Sequence, residues 1–182
     1  MDSKLANPGP LGLAAFGMTT ILLNLHNAGF YPLTSMVMAM GIFFGGIAQV
    51  IAGKFDFSKG NTFGMVAFTS YGMFWISLVA IWVLPLLGIA KPGAAEMGWF
   101  LSVWGVFSVF MTIGTLKGSK VLTFVFVTLD ILFALLAIRD FTGSAVIGTI
   151  AGIEGIVCGT AALYLAMAEV LYAQFDKKIL PF

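Results

Sequence analysis

Long uncharged stretches separated by short charged segments form the dominant pattern along this chain. Residues 5–53 carry no formal charge when the single histidine is neutral. A helix needs about 20 apolar residues to cross a membrane, so this run predicts two spans. Residues 30–33 predict the turn between them, because Pro32 is disfavoured inside a helix and biases the residue before it away from helix.

Four further apolar runs follow, at residues 60–90, 97–116, 121–138 and 144–172. Asp130 interrupts the fifth span, and Glu154 and Glu169 interrupt the sixth. The first run is too long for a signal peptide and lacks a small-residue cleavage site followed by a polar domain. The pattern therefore predicts an all-α membrane protein of six transmembrane helices in a single domain, residues 1–182.

Composition and charge agree with this class. The chain is 60% hydrophobic and 9% charged, with a mean hydropathy of +1.04, whereas soluble domains carry about 25% charged residues. A net charge of +1 gives no reason to expect nucleic acid as a partner. By the positive-inside rule we expect both termini in the cytoplasm. The loops on the cytoplasmic side would then hold seven basic residues, and those on the other side only two. The seven are Lys4, Lys54, Lys59, Lys117, Lys120, Lys177 and Lys178, and the two are Lys91 and Arg139. The expected location is the cytoplasmic membrane.

An enzyme is not expected. The six spans leave no domain outside the membrane for an active site, a receptor or a nucleotide site. The single cysteine, Cys158, excludes an internal disulfide and a multi-cysteine metal site. Neither a paired nucleophile and base nor a ligand cluster at metal spacing is found, so we expect no catalytic residue, no metal and no cofactor.

A weak internal repeat relates the odd-numbered spans. The sequence FGM at residues 16–18 recurs as YGM at residues 71–73, and the corresponding depth of the fifth span holds TLD at residues 128–130. Three helical hairpins in parallel repeat would place corresponding residues around a common centre. We therefore expect Phe16, Tyr71 and Leu129 to meet at one level of the membrane.

Glycines predict close helix packing in two spans. Gly41, Gly45 and Gly53 recur in the second span with Gln49 between them, and the sixth span carries Gly148, Gly152, Gly155 and Gly159. Small residues let helix backbones approach in lipid, where no hydrophobic force drives helices together. Gln49 lies on that glycine face and needs a hydrogen-bond partner or water.

Polar side chains share a face with the central aromatic residue. Phe16, Thr20, Asn24 and Asn27 fall on one stripe of a helix with 3.6 residues per turn. Such a stripe is satisfied either by hydrogen bonds in a dry bundle or by lining a wet cavity. Similar residues recur in the third span and include Asn61, Thr62, Thr69 and Ser70. Neutral donors around an aromatic centre favour a narrow permeation path.

The start of the first span favours anions. Asn7 is a plausible N-cap, and Pro10 suits a first helical turn. A helix N-terminus presents free N–H groups and a partial positive charge. We interpret His26 as a hydrogen-bonded structural residue. Three roles remain open for Asp130: it faces the constriction, it titrates, or it points toward a neighbouring subunit.

The sequence NPGPLGLAAFGMTT resembles the signature "NP-small-PLGL" of the acetate uptake transporter family, which includes bacterial succinate-acetate permeases. Gly9 stands where alanine is often found in that signature. The resemblance continues in LLNLHNAG, MGIFFGGIAQ, KGNTFGMVAFTSYGMFW, GTLKG and LYLAMAEVL, and so covers nearly the whole chain.

This resemblance implies a six-helix protomer that assembles as a homohexamer, with one path for small carboxylates through each subunit. It implies a hydrophobic constriction at Phe16, Tyr71 and Leu129. The candidates for hydrogen bonding to the substrate carboxylate are Asn7, Thr20, Asn24, Gln49, Asn61 and Thr62.

We therefore expect transport of acetate, with succinate as a further candidate substrate, by an anion channel or a proton-linked carrier. No lysine or arginine is clearly placed to clamp the substrate in mid-membrane, which favours weak binding and release. Two alternatives remain open. One is a neutral-solute channel of the urea and amide type, and the other is a membrane scaffold that transports nothing.

Overall fold

The computed structural model describes residues 5–182, which form a bundle of long helices with no β-strand among them. The α-helices are α1 (Gly9–Asn27), α2 (Ser35–Ile42), α3 (Gln49–Ser58), α4 (Thr62–Val83), α5 (Ala94–Thr115), α6 (Lys120–Thr142) and α7 (Ala145–Phe175). A π-helical segment, Phe43–Ala48, joins α2 to α3, so that Ser35–Ser58 forms one continuous rod. A short 3-10 helix, Leu84–Leu87, extends α4.

Five helical segments within the described residues are long and apolar enough to cross a membrane. They are Ser35–Ser58, Thr62–Leu87, Ala94–Thr115, Lys120–Thr142 and Ala145–Phe175. They correspond to the second through sixth predicted spans and fit the predicted all-helical membrane protein. The 19-residue helix α1 is not one of the five, since Asn24, His26 and Asn27 make its last turns polar.

Charged residues do not end the helices where the sequence analysis placed the ends. The rod continues beyond Gly53 to Ser58, and α6 continues beyond Ile138 to Thr142. A charged side chain near the membrane surface can be solvated without breaking the backbone hydrogen bonds of its helix. Turns instead follow at Gly60 (φ 72°) and Gly143 (φ 68°), which adopt the left-handed conformation that glycine tolerates best.

The asparagines before α1 and α4 bond to the starts of their helices in different ways, and the predicted N-cap of α1 is displaced by one residue. Pro8, and not Asn7, occupies the N-cap position of α1. Asn7 lies one residue earlier, and its Oδ1 accepts a hydrogen bond from the Gly9 N–H at 3.1 Å. Asn61 is the N-cap of α4, and its Oδ1 accepts from the Gly64 N–H at 3.1 Å. Both side chains therefore satisfy a free N–H group at a helix start.

Glycines bring α1 and α7 into close contact, as predicted for the sixth span. A Cβ atom built on Gly159 would lie 2.7 Å from the Gly17 carbonyl oxygen, and one on Gly17 would lie 2.6 Å from the Gly159 carbonyl oxygen. Gly155 packs in the same way against the side chain of Asn24. The interface between these helices thus has no room for larger residues.

The π-helical segment explains how two of the three glycines predicted to share a face in the second span do so, whereas Gly45 packs against Thr19 of α1. Gly41 and Gly53 both pack against α4, where their nearest neighbours are Val79 and Thr69. Twelve residues of regular α-helix at about 100° per residue would turn Gly53 by roughly 120° from Gly41. One surplus residue in a π turn removes about 100° of that rotation. Both glycines therefore face α4.

Aromatic side chains, and not glycines, fill the seam between α4 and α5. The ring centroids of Phe74 and Trp104 lie 5.2 Å apart, those of Phe74 and Phe100 lie 5.7 Å apart, and those of Tyr71 and Phe107 lie 5.5 Å apart. The backbones of α4 and α5 touch only slightly, whereas α5 packs closely on α6, α6 on α7, and α3 on α4. The large rings therefore close the bundle on this side.

Candidate functional site

Two cavities follow one another between α1, α4 and α6. The terminal cavity has a volume of about 170 Å³ and lies where α1 begins, near Asn7 and Glu169. The distal cavity has a volume of about 90 Å³ and lies toward the other end of α1, near Asn27 and Arg139. Since a cavity of about 150 Å³ can hold benzene, the terminal cavity has room for a small organic acid.

Phe16, Tyr71 and Leu129 are the residues that the linings of both cavities share. Each is buried, with 7%, 3% and 4% of its surface exposed. The ring centroids of Phe16 and Tyr71 are 6.2 Å apart. The structure therefore brings together the three side chains that the internal repeat related, at the boundary between the two cavities.

The hydroxyl of Tyr71 is turned toward α5. It donates a hydrogen bond to Oγ of Ser108 at 3.0 Å, and Ser108 is fully buried. The phenol is thereby satisfied, and Tyr71 offers mainly its ring to the cavities. The sequence analysis missed Ser108, since a lone serine in an apolar helix gives no signal of its partner.

The distal cavity is lined by part of the polar stripe of α1. Asn24 is 1% exposed, and its Nδ2 donates to the Thr20 backbone carbonyl at 2.9 Å. Asn27 Nδ2 donates to Oδ1 of Asn24 at 3.0 Å. These amides are largely satisfied within their own helix.

Two other groups of the distal cavity lack partners. Oγ1 of Thr20 and Nε1 of Trp75 are buried and have no hydrogen-bond partner among the described residues. Both can donate a hydrogen bond to a carboxylate. Trp75 was missed because its indole is indistinguishable in sequence from a lipid-facing or core tryptophan.

A cation also lines the distal cavity. Arg139 lies at its edge, and a terminal guanidinium nitrogen of Arg139 is 2.7 Å from Oδ1 of Asp140. The Nε group of Arg139 donates to the same oxygen at 2.8 Å. The sequence analysis counted Arg139 only as a loop charge, whereas it lies in the last turn of α6.

The terminal cavity contains two matched pairs of an asparagine and a carboxyl group. Asn7 Nδ2 donates to Oε2 of Glu169 at 2.9 Å, and Asn61 Nδ2 donates to Oδ1 of Asp56 at 3.0 Å. All four residues line the cavity. Each asparagine thus joins a helix start to a carboxyl group on another helix.

The remaining predicted binding residues divide between the cavity and the surface. Gln49 lines the terminal cavity and is 1% exposed, and its Oε1 has no partner among the described residues. Thr62 begins α4, is exposed, and is not among the residues that line either cavity. The structure therefore groups Asn7, Gln49 and Asn61 at the terminal cavity, with Thr20 and Asn24 at the distal one.

The acidic residues of the last two spans lie in three different environments. Solvation at the membrane surface is the plainer expectation for Glu154 and Glu169, near the two ends of the sixth span, and the burial of Glu154 contradicts it. Both carboxyl oxygens of Glu154 are buried without a partner among the described residues, and Glu169 is bonded to Asn7. Asp130 accepts a hydrogen bond from Thr112 Oγ1 at 2.7 Å and lines a groove between α5 and α6.

His26 has the hydrogen bond expected of a structural residue. Its Nδ1 lies 2.9 Å from the backbone oxygen of Tyr31, which ties the end of α1 to the following turn. Among the described residues, no three His, Cys, Asp or Glu side chains are grouped so that they could hold a metal ion.

Comparison with known proteins gives consistent matches over nearly the whole chain. The family model described as the GPR1/FUN34/yaaH family matches residues 1–179. The succinate-acetate/proton symporter SatP of Escherichia coli is 58% identical over 181 residues, which is 99% of this chain and 96% of that protein. Acetate permease A of Emericella nidulans is 33% identical over 98% of this chain and 66% of its own length.

A solved structure has the same fold. The structure of the bacterial acetate channel SatP matches with a TM-score of 0.97 and 58% sequence identity. The match covers 98% of this chain and 99% of that one.

Proposed function

Because this chain belongs to the GPR1/FUN34/yaaH family, we propose that it carries acetate across the cytoplasmic membrane through the two cavities of each protomer. Acetate transport agrees with the names of relatives from a bacterium and a fungus and with that of the matched structure. Succinate is a second substrate, named for the bacterial relative. The chain is a multi-pass membrane protein, and its five long apolar helices fit this location.

The observation that carries the proposed path is the shared lining of the two cavities. Phe16, Tyr71 and Leu129 lie between a terminal cavity with five amide and carboxyl side chains in its lining and a smaller distal cavity. A narrow apolar constriction limits the size of a solute and strips it of water, while uncharged donors on either side replace part of its hydration. We assign these three residues to the constriction on this basis.

The proposed substrate-binding groups are polar side chains at the two cavities, and Oγ1 of Thr20 is the donor among them that is buried without a partner among the described residues. Gln49, Asn7 and Asn61 would hold the carboxylate in the terminal cavity, and Thr20 would hold it in the distal cavity. Asn24 supports Thr20 by its bond to the Thr20 carbonyl. Thr62 would act at the entrance, since it is exposed at the start of α4.

We further propose six crossings, with α1 as the first and both termini in the cytoplasm. The distribution of lysines supports this orientation, which would make the terminal cavity the cytoplasmic one. In this arrangement α1, α4 and α6 are the first helices of three hairpins, and these three helices line both cavities.

A homohexamer is the proposed assembly. The outer face of α5 supports it, because Trp99, Val103, Val106, Phe110 and Ile113 form an exposed apolar stripe with exposures between 59% and 71%. Asp130 lies beside this stripe, with Oδ1 buried and without a partner among the described residues. A carboxyl group is costly next to lipid, so contact with a neighbouring protomer fits this face better than lipid does.

Uptake of labelled acetate into proteoliposomes tests the proposed function. The reconstituted chain should give saturable uptake above that of protein-free vesicles, and unlabelled succinate should compete with it. Urea should not compete. Uptake no faster than in protein-free vesicles would contradict the proposal and favour a scaffold. Urea competing as well as acetate would indicate a neutral-solute channel instead.

A further inference from the structure

We propose that Asp56 is a proton-binding site of the terminal cavity, and that this cavity admits a carboxylate substrate only when Asp56 carries a proton. The inference rests on the proposed function. It adds to that function the residue that binds the proton. Coupling to a proton is named for the bacterial relative, but neither that name nor the predicted constriction identifies the residue.

Asp56 is buried, and its two carboxyl oxygens differ in their hydrogen bonds. The residue is 2% exposed. Oδ1 accepts the hydrogen bond from Asn61, whereas Oδ2 is buried and has no partner among the described residues. An ionised carboxylate is acceptor-only, but a protonated one has an O–H group to donate. Oδ2 is therefore the atom that would hold the proton.

The neighbouring helix leaves space for Oδ2 of Asp56. Gly64 lines the same cavity, and a Cβ atom at this position would overlap Oδ2 of Asp56. Its own N–H group is used by the cap with Asn61. Glycine at position 64 thus leaves room for the unpartnered oxygen where α3 packs against the start of α4.

Charged groups of both signs face Asp56. Lys59 follows α3, and Glu169 of α7 lies across the same cavity. The parts of α1 and α4 that line this cavity contribute amides, apolar side chains and the Tyr71 phenol, which is bonded to Ser108. Among the described residues, no Lys or Arg nitrogen lies within 4.0 Å of either carboxyl group.

An arriving substrate carboxylate would therefore be a third acidic group in a cavity of about 170 Å³. Like charges at such separations repel each other and favour retention of a proton. A proton taken from water onto Oδ2 of Asp56 removes one negative charge. The resulting O–H can donate a hydrogen bond to a substrate oxygen. The O–H bond at Oδ2 forms as one O–H bond of a hydronium ion breaks and leaves water, and no other covalent bond changes.

Acetate flux into proteoliposomes tests this site with four forms of the full chain. They are the wild type, Asp56→Asn, Glu169→Gln and Asp130→Asn. Asparagine at position 56 is nearly isosteric and carries a permanent donor in place of the acid proton. Asp130 is the matched control, because its carboxyl lines neither cavity and accepts from Thr112. The acetate anion concentration is held constant as the pH is varied, and the flux of protein-free vesicles is subtracted at each pH.

Above the midpoint of its pH profile, the acetate flux of the wild type should fall about tenfold per pH unit, because one essential proton is lost. Asp56→Asn should give a flux that changes less than about twofold over the same pH range. Asp130→Asn and Glu169→Gln should retain the slope. A retained slope in Asp56→Asn, or its loss in either of the other variants, would overturn the assignment.

Two further results keep the test independent of folding. Asp56→Asn that elutes and melts like the wild type but carries no acetate at any pH would also overturn the inference. If Asp56→Asn does not assemble, the inference is tested by infrared difference spectra of the wild type, recorded with and without acetate. Acetate should change the C=O stretch of a protonated carboxylic acid at the pH of maximal flux, and the absence of such a band overturns the inference. If the wild type takes up acetate but any of these results contradicts the role of Asp56, the proposed function is still supported and only the inference about Asp56 is wrong.

Discussion

Replacing Leu129 with alanine should relax the size limit of the path. Leu129 lines both cavities and is 4% exposed. Its truncation removes three carbons from the boundary between spaces of about 90 and 170 Å³. One methylene group in a fitted apolar site is worth about 1–3 kcal/mol, or roughly 10–200-fold in rate. Butyrate exceeds acetate by two methylenes, so we expect the butyrate-to-acetate flux ratio to rise at least about tenfold.

The assay is the initial rate of labelled acetate, propionate and butyrate uptake into proteoliposomes, each corrected for protein-free vesicles. Leu132→Ala is the matched control, since Leu132 belongs to the same helix, is 5% exposed, and lines only the distal cavity. Both variants remove the same atoms, and each should cost about 2–5 kcal/mol of stability. An unchanged ratio in Leu129→Ala, or an equal rise in both variants, would refute the constriction at Leu129.

Three other outcomes are expected. Tyr71→Phe leaves the buried Ser108 hydroxyl without its partner and should lower stability by about 1–3 kcal/mol; a melting temperature equal to that of the wild type would contradict the role of this bond. Gly159→Ala should cost about 1–3 kcal/mol because its methyl group meets the backbone of α1, whereas Gly105→Ala, with 3.3 Å to its nearest neighbour, should leave the melting temperature within a few degrees of the wild type. Arg139→Gln should slow acetate uptake at low ionic strength and have little effect at about 1 M salt, where the Debye length is about 3 Å; an effect independent of salt would argue against electrostatic attraction at the distal cavity.

The lengths of the uncharged apolar runs were enough to predict the five long apolar helices, because apolar runs of membrane length have few other stable structures. It did not predict their ends, since Lys54 and Asp56 lie within a helix that stops only before a glycine turn. The close packing at Gly159 was predictable, because small residues at regular spacing have one common use in membranes.

The chemistry of the terminal cavity was only partly predictable. Amides such as Asn7 and Asn61 stand out in an apolar chain, and their spacing from helix starts indicates capping. Asp56 and Glu169 did not stand out, because each lies near a predicted span end where a charged residue is ordinary. Their pairing with the two asparagines joins residues from different helices, as in the bond between Asn7 and Glu169. No local pattern contains the pairing of Asn7 with Glu169, whereas Asp56 and Asn61 are only five residues apart in the sequence.

The π-helical segment Phe43–Ala48 lies immediately before Gln49 in the chain. Deleting a single residue from it would restore an ordinary α-helix and rotate everything that follows by about 100° relative to α2. Gln49 and Asp56 would then turn away from the terminal cavity, although every remaining side chain of the rod would be unchanged. The polarity of this cavity is thus set by the hydrogen-bond register of a backbone as well as by the amino acids that line it, and a shortened rod would preserve composition while losing the site.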